Sequence, residues 1–336
     1  MNRLLGAMAV LAGAALAGCA QLGMDTGAAG AGGAGGTVKI TPLGSHDGEF
    51  CPLDRALVFE DPDGTRILYD PGRTVRGPAD PRLGRIDAVL LSHVHGDHLG
   101  DLIQASANAG TCAKPEFAVN VTPNSNLVNI AMARQVPIIV GGEMHSFFQA
   151  KVKSLGGDPN KLVRLVRFGA QSMVGKVMVA SVPAVHSNGL PPAFLPKEQQ
   201  QAMATSGLTA YVGPPGGFVL RFSNGLTAYL SGDTGITAEK DLVVRGHYKA
   251  SLVVMNIGGY PFTTGPAEAA YVVNDLVRAS SVIASHANEA ATAGGKLLPT
   301  SRTAAFQKAA RMPVHVPLSG TTMQFDGGGR CVSGCQ

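Results

Sequence analysis

The run Ser92-His93-Val94-His95-Gly96-Asp97-His98 follows directly on the apolar stretch Ala88-Val89-Leu90-Leu91. It gathers three imidazoles and a carboxylate into one turn at the end of what reads as a strand. Neutral imidazole nitrogens and a carboxylate suit a divalent transition metal, and a strand end exposes such ligands while holding them still. His93 and His95, two apart, point to one side of an extended chain. Asp97 and the adjacent His98 turn toward a second position, so one short loop can serve two metals, and two metals imply hydrolysis. A chain built on this loop needs a sheet behind it and more ligands from distant strand ends.

Both requirements are met by the pattern downstream. Val38 to Leu43, Arg55 to Glu60 and Arg66 to Tyr69 read as strands, with Asp61-Pro62-Asp63-Gly64 as a turn. After the His loop, helices are expected over Leu99 to Asn108, Asn126 to Arg134 and Ser146 to Leu155, alternating with strands at 118–121, 137–140, 162–168 and 176–182. A hairpin over 218–223 and 226–230 turns at Asn224-Gly225. A βαβ unit follows, with strands at 252–257 and 281–285 around a helix over 266–278. A last helix, 301–311, and a last strand, 321–325, complete an alternating α/β chain. His186, Asp233 and His286 each stand just past an apolar strand, where strand ends converge and can close one site.

The first eighteen residues, one basic residue and then an Ala-rich apolar run, have the layout of a secretory signal. The end, Leu16-Ala17-Gly18-Cys19, resembles a bacterial lipobox. The expected organisation is a signal peptide over 1–18, a Gly/Ala-rich tether over 19–36, a hydrolase domain over 37–330 and a Cys-containing tail over 331–336. Cys19 would carry the lipid, so the expected location is the bacterial envelope, at the outer membrane facing the periplasm. Four further cysteines are an even set, which in an exported chain suggests disulfides: Cys331 with Cys335 and Cys51 with Cys112. Of 27 basic and 23 acidic residues the signal removes only Arg3, and no basic cluster with interleaved aromatics occurs. Trp is absent, and no nucleic-acid partner is expected.

These motifs together resemble the metallo-β-lactamase superfamily over almost all of Val38 to Phe325. The resemblance is to the branch with ascorbate-6-phosphate lactonase and the N-acylphosphatidylethanolamine-hydrolysing phospholipases. Leu43-Gly44-Ser45-His46, Tyr69-Asp70-Pro71, the Ser92 to His98 loop, Pro183-Ala184-Val185-His186-Ser187, Ser231-Gly232-Asp233-Thr234, Ile257-Gly258-Gly259 and Ser285-His286 carry it. It implies an αββα sandwich with the site at one edge of two sheets. It further implies that His93, His95 and His186 hold one divalent ion, that Asp97, His98 and His286 hold another, and that Asp233 bridges them. The ions would be zinc, with manganese or iron as alternatives.

Water held between the cations would then attack a lactone, ester or phosphodiester, with Asp97 and Asp233 as the catalytic carboxylates. A phospholipid-directed phosphodiesterase and a non-catalytic metal-binding protein are the competing readings, and the substrate is a small molecule or a lipid. Asp at position 233, where β-lactamases of this fold commonly place Cys, argues against antibiotic hydrolysis. Asp70 is a candidate acceptor from a ligand imidazole, or simply a turn residue before Pro71. His46 either lines the site or sits in a surface loop. The segment 188–217, rich in Pro and Gly and containing Phe194, Leu195 and Met203, is expected to be a lid over the substrate.

Overall fold

Leu57-Val58-Phe59 and Ala88-Val89-Leu90 are apolar at consecutive positions, so their strands must be covered on both faces. The computed structural model, which describes residues 35–336, provides that cover on a large scale. In chain order the main strands are β1 (Val38–Pro42), β2 (Leu57–Glu60), β3 (Arg66–Tyr69), β4 (Ala88–Leu90), β5 (Ile138–Val140), β6 (Val163–Leu165), β7 (Gln171–Val174) and β8 (Val177–Pro183). They continue as β9 (Gly216–Arg221), β10 (Thr227–Leu230), β11 (Leu252–Asn256), β12 (Ser281–Ser285), β13 (Val314–His315), β14 (Met323–Phe325) and β15 (Cys331–Ser333). One sheet runs β6-β5-β4-β3-β2-β1-β14-β15 and the other β7-β8-β9-β10-β11-β12-β13.

Three apolar layers separate four structural ones. Between the sheets, Ile40, Leu57, Phe59, Tyr69 and Leu90 meet Val179, Phe218, Leu220, Leu230 and Val254. The alternate residues Val58, Leu68 and Val89 face outward against Leu127, Ile130, Phe148 and Val152 of the helices Asn126–Arg134 and Met144–Ser154. On the far side Tyr229, Val253, Met255 and Val282 pack against Ala269, Val273 and Phe306. These come from the helix Pro266–Tyr271, which continues in π-type turns over Val272–Val277, and from Arg302–Ala309. The expected αββα sandwich is the fold observed.

β3, β4, β5 and β6 are mutually parallel, as are β10, β11, β12 and β13. Parallel strands end together, so the loops after β4, β10 and β12 open on one edge of the sandwich. β8 joins them because it pairs antiparallel with β9, placing Pro183 opposite Gly216, where β9 begins.

Some expectations fail for identifiable reasons. No helix spans Leu99 to Asn108: a single turn, Gly96–Leu99, gives way to a two-residue strand, Leu102–Ile103, paired with Val119–Asn120. Gly100 ends that turn at φ +81°, where a Cβ would collide with Asn126 Cβ, so the chain leaves the helix before Leu99, Leu102 and Ile103 can share a face. The segment 331–336 is no separate tail, because β15 forms the edge of the first sheet and Gln336 O accepts from Val316 N at 3.1 Å. Disulfides join Cys51 to Cys112 and Cys331 to Cys335. The signal, Cys19 and nearly all of the tether lie outside the described residues. Among those described, no helix is long and apolar enough to cross a membrane.

Candidate metal centre

Four strand ends deliver the candidate ligands: β4 leads into His93 and His95, β8 into His186, β10 into Asp233 and β12 into His286. Asp97 and His98 lie on the turn Gly96–Leu99. The sheets close tightly here, and Gly216 N donates to Ser92 O across the gap at 3.0 Å. Gly232 permits this approach: its φ is +58° and a Cβ would lie 2.9 Å from Ser92 Cβ. Gly258 does the same beside His286, where a Cβ would meet the ring Nδ1 at 2.7 Å. His286 itself has φ +52° and Asp70 has φ +40°, a backbone state non-glycine residues hold only when the surroundings impose it.

His93, His95 and His186 form one group. His93 Nε2 lies 3.1 Å from His95 Nδ1, which lies 3.3 Å from His186 Nε2. Asp233 Oδ2 stands 3.9 Å from His93 Nε2 and 3.7 Å from His186 Nε2. The outward nitrogen of His93 fixes its tautomer. Ser92 Oγ donates to Asp70 Oδ2 at 2.7 Å and so accepts from His93 Nδ1 at 3.0 Å, leaving the Nε2 lone pair facing inward. Ser187 Oγ lies 3.3 Å from His95 Nε2. Burial, then the neighbouring imidazoles, hold the His93 pKa well below the usual value and bring His95 down to about 4. His186 is lowered too, by burial first. Three neutral imidazoles with converging lone pairs and a carboxylate alongside fit a divalent transition metal.

Asp97, His98 and His286 form a second group. Asp233 adjoins it, with Oδ1 3.4 Å from His98 Nε2 and Oδ2 2.8 Å from His286 Nε2. This group already faces a cation. The Arg55 side chain, 2% exposed, sets Nη2 at 2.6 Å from Asp97 Oδ2. The same Nη2 lies 2.7 Å from His286 Nε2 and 2.9 Å from Asn288 Oδ1, and Arg55 Nε donates to His98 Nε2 at 3.2 Å. Burial pushes the Asp97 carboxyl up, but Arg55 and then His98 outweigh it and hold it well below the usual range. Burial likewise opposes ionisation of Asp233, and His286 and His98 win. For His98 burial opposes the charged ring while Asp233, Asp97 and Asp70 draw its pKa up to about 10. The Arg55 Nε–H points at His98 Nε2, and His98 Nδ1 faces Asp70 Oδ2 at 2.8 Å.

The structure thus brings all seven proposed ligands together and sets Asp70 behind His98. His46 is not brought in: its Nδ1 contacts Ser45 Oγ at 3.1 Å within its own loop. Four contributors escaped the sequence reading. Arg55 and Asn288 are described above. Asn188, 2% exposed, accepts from Val94 N at 2.9 Å and donates to Gly213 O at 2.8 Å, tying down the His loop. Lys240, 1% exposed, donates to Gly235 O at 2.7 Å beneath the Asp233 loop, and burial lowers its pKa to about 8. The one available signal was a charge at the head of an otherwise apolar strand, Arg55 before Ala56-Leu57-Val58-Phe59.

The site opens into a cleft of about 610 Å³, with Leu53, Pro261 and Phe262 as its apolar wall and Arg55, His95, Asp97, His186, Asp233 and His286 on its polar side. No residue of 188–217 lines it, so the expected lid is not where the sequence suggested. Phe194 and Leu195 instead bury into the core beneath the first sheet's helices, because large apolar groups in a loop gain more from an existing core than from a solvent-filled cleft.

Residues 65–287 match the family described as "Beta-lactamase superfamily domain". A UPF0173 metal-dependent hydrolase of Cupriavidus necator is 31% identical across 79% of this chain and 81% of its own length. Another from Myxococcus xanthus is 31% identical across 69% of this chain and 67% of its own. Among solved structures, Igni18, a metallo hydrolase of Ignicoccus hospitalis, superposes with a TM-score of 0.56 at 20% identity, over 86% of this chain and 99% of that one. The metallo-β-lactamase fold protein YhfI of Bacillus subtilis gives 0.53 at 13% identity over the same shares, 86% and 99%.

Proposed function

The chain belongs to the metallo-β-lactamase superfamily and is a metal-dependent hydrolase of that fold, and we propose that it cleaves a carboxylic ester or lactone bearing an apolar substituent. One observation carries this reading: the converging nitrogens of His93, His95 and His186 open, beside Asp233, into a cleft whose wall is Leu53, Pro261 and Phe262. A divalent ion held there would supply Lewis acidity, polarising the scissile carbonyl and lowering the pKa of water.

The chain's own groups supply the rest. Ser92, donating to Asp70, fixes the tautomer that aims the His93 lone pair, and Ser187 contacts the His95 ring. Asp97, kept ionised by Arg55, orients the attacking water by accepting its hydrogen bond. Arg55 and Asn288 border the place where the carbonyl oxygen gains charge. The apolar wall binds the substituent and excludes water from that side.

A second reading, phospholipid-directed phosphodiester cleavage as in the N-acylphosphatidylethanolamine-hydrolysing phospholipases that the sequence resembles, is favoured by the rim. Val185, Ile236, Tyr260 and Phe262 are all exposed around one neighbouring hollow. A lipid anchor at Cys19 would hold such a rim near a bilayer.

The test is a panel of acyl esters and acyl lactones of rising chain length, a minimal phosphodiester and phospholipid vesicles, each with and without chelator. Ester or lactone turnover that rises with chain length, is abolished by chelation and returns with zinc supports the first reading. Turnover of phosphodiesters alone, or turnover indifferent to chelation, overturns it.

A further inference from the structure

We infer that the Arg55 guanidinium stands in for a second metal ion, so that the chain holds one divalent cation, at His93, His95 and His186, beside a cation built into the polypeptide. The inference rests on the metal-dependent reading above and departs from it on the number of ions. The donor chemistry of the first group fits a metal and that of the second does not. Asp97 Oδ2, His98 Nε2 and His286 Nε2 are the three atoms an ion would need. All three are already engaged by Arg55, at 2.6, 3.2 and 2.7 Å.

An ion bound to these atoms would sit about 2.0–2.2 Å from each and therefore in the volume the guanidinium fills. It would also bring two like charges into contact in a buried site, where Coulomb repulsion is least screened. Arg55 has no ready alternative. Its side chain is 2% exposed, and withdrawing it would leave a buried cation without its carboxylate. Asn288 Oδ1, 2.9 Å from Nη2, belongs to no ligand group and accepts from the guanidinium. Arg rather than Lys suits the role, because the two N–H groups of Nη2 can reach Asp97 and Asn288 beside His286 while Nε donates to His98.

The consequence for chemistry is a division of labour. The ion at the three imidazoles is exchangeable and can be chelated. The second positive charge, beside Asp97 and Asp233, cannot be removed without mutation. Arg55 lines the cleft, so the charge it presents is available to an oxygen of the substrate.

The test counts ions on the purified mature protein after equilibration with zinc, by elemental analysis and by calorimetric titration, with circular dichroism to confirm folding. The wild type should hold one ion per chain and Arg55→Lys should also hold one. Arg55→Ala, which frees Asp97, His98 and His286, should take up a second. Cobalt loading gives an independent readout: a spin-coupled pair in electron paramagnetic resonance should appear only in Arg55→Ala. His93→Ala should reduce the wild-type count to zero and leave one ion in the double variant with Arg55→Ala. Two ions in the wild type overturn this inference and leave the metal-dependent reading standing, whereas none overturns both. A folded Arg55→Ala that still holds one ion overturns this inference as well. Should Arg55→Ala fail to fold, the wild-type count and Arg55→Gln decide the matter.

Discussion

Asp70 accepts two hydrogen bonds from Ser92, from its backbone N at 2.8 Å on Oδ1 and from its hydroxyl at 2.7 Å on Oδ2. The same Oδ2 faces His98 Nδ1 at 2.8 Å. One buried carboxylate thus orders both ends of the His loop, since Ser92 in turn sets the His93 ring. Asp70→Ala orphans the Ser92 N–H and should cost about 1–3 kcal/mol of stability, read by thermal denaturation. It should also lower metal affinity or activity by about 10–100-fold. An unchanged metal affinity in the folded variant would show that the clamp is dispensable.

Protons should compete weakly for the three-imidazole site. Three ordinary histidines would lose about fifty-fold in available neutral ligand between pH 7.5 and pH 6. Here burial and neighbouring rings lower all three, His95 to about 4. Zinc affinity measured by chelator competition should therefore change less than about threefold over that interval. The sign for the metal-free chain follows from linkage. With its folded pKa below its unfolded one, His95 favours the folded state above the ordinary 6.5 and withdraws that support as pH falls toward about 4. The apo protein should melt at progressively lower temperature across that window.

Phe194 and Phe262 should separate stability from specificity. Phe194 is 2% exposed within the core, so Phe194→Ala should cost about 3–5 kcal/mol with little change in relative KM among esters. Phe262 is 63% exposed and lines the cleft. Phe262→Ala should leave stability within about 0.5 kcal/mol and raise KM for long-chain substrates more than for short ones. The opposite pattern would restore the segment 188–217 as a lid.

The N-terminal reading is tested through Cys19. With the lipobox intact the mature chain should sediment with membranes, and Cys19→Ser should release it or block its processing. A wild-type chain recovered soluble, with an unmodified Cys19, would contradict the anchor.

The candidate ligands were legible as a group because their residue types and spacing are local. His93, His95, Asp97 and His98 declare themselves by type and spacing within one turn, and His186, Asp233 and His286 by their position after apolar strands. The alternation of strands and helices was legible in the apolar pattern, whereas the αββα layering came from the resemblance of the motifs to the superfamily. Asn126–Arg134 matched its expected helix because a Ser125 cap and an apolar stripe agree there. Leu99 to Asn108 did not, because Gly100, at φ +81° and packed against Asn126, ends the turn after Leu99.

Tertiary structure alone decided what fills the space between those candidate ligands. Phe194 and Leu195 look like lid residues in the chain and become core residues once a helix layer lies within reach. Arg55 looks like the charged start of a strand, and the fold carries its guanidinium to His286, 231 positions away in sequence. Spacing along a chain encodes which side chains share a turn. Which of them share a buried volume depends on where strands from two sheets end, and that is fixed only when the layers pack.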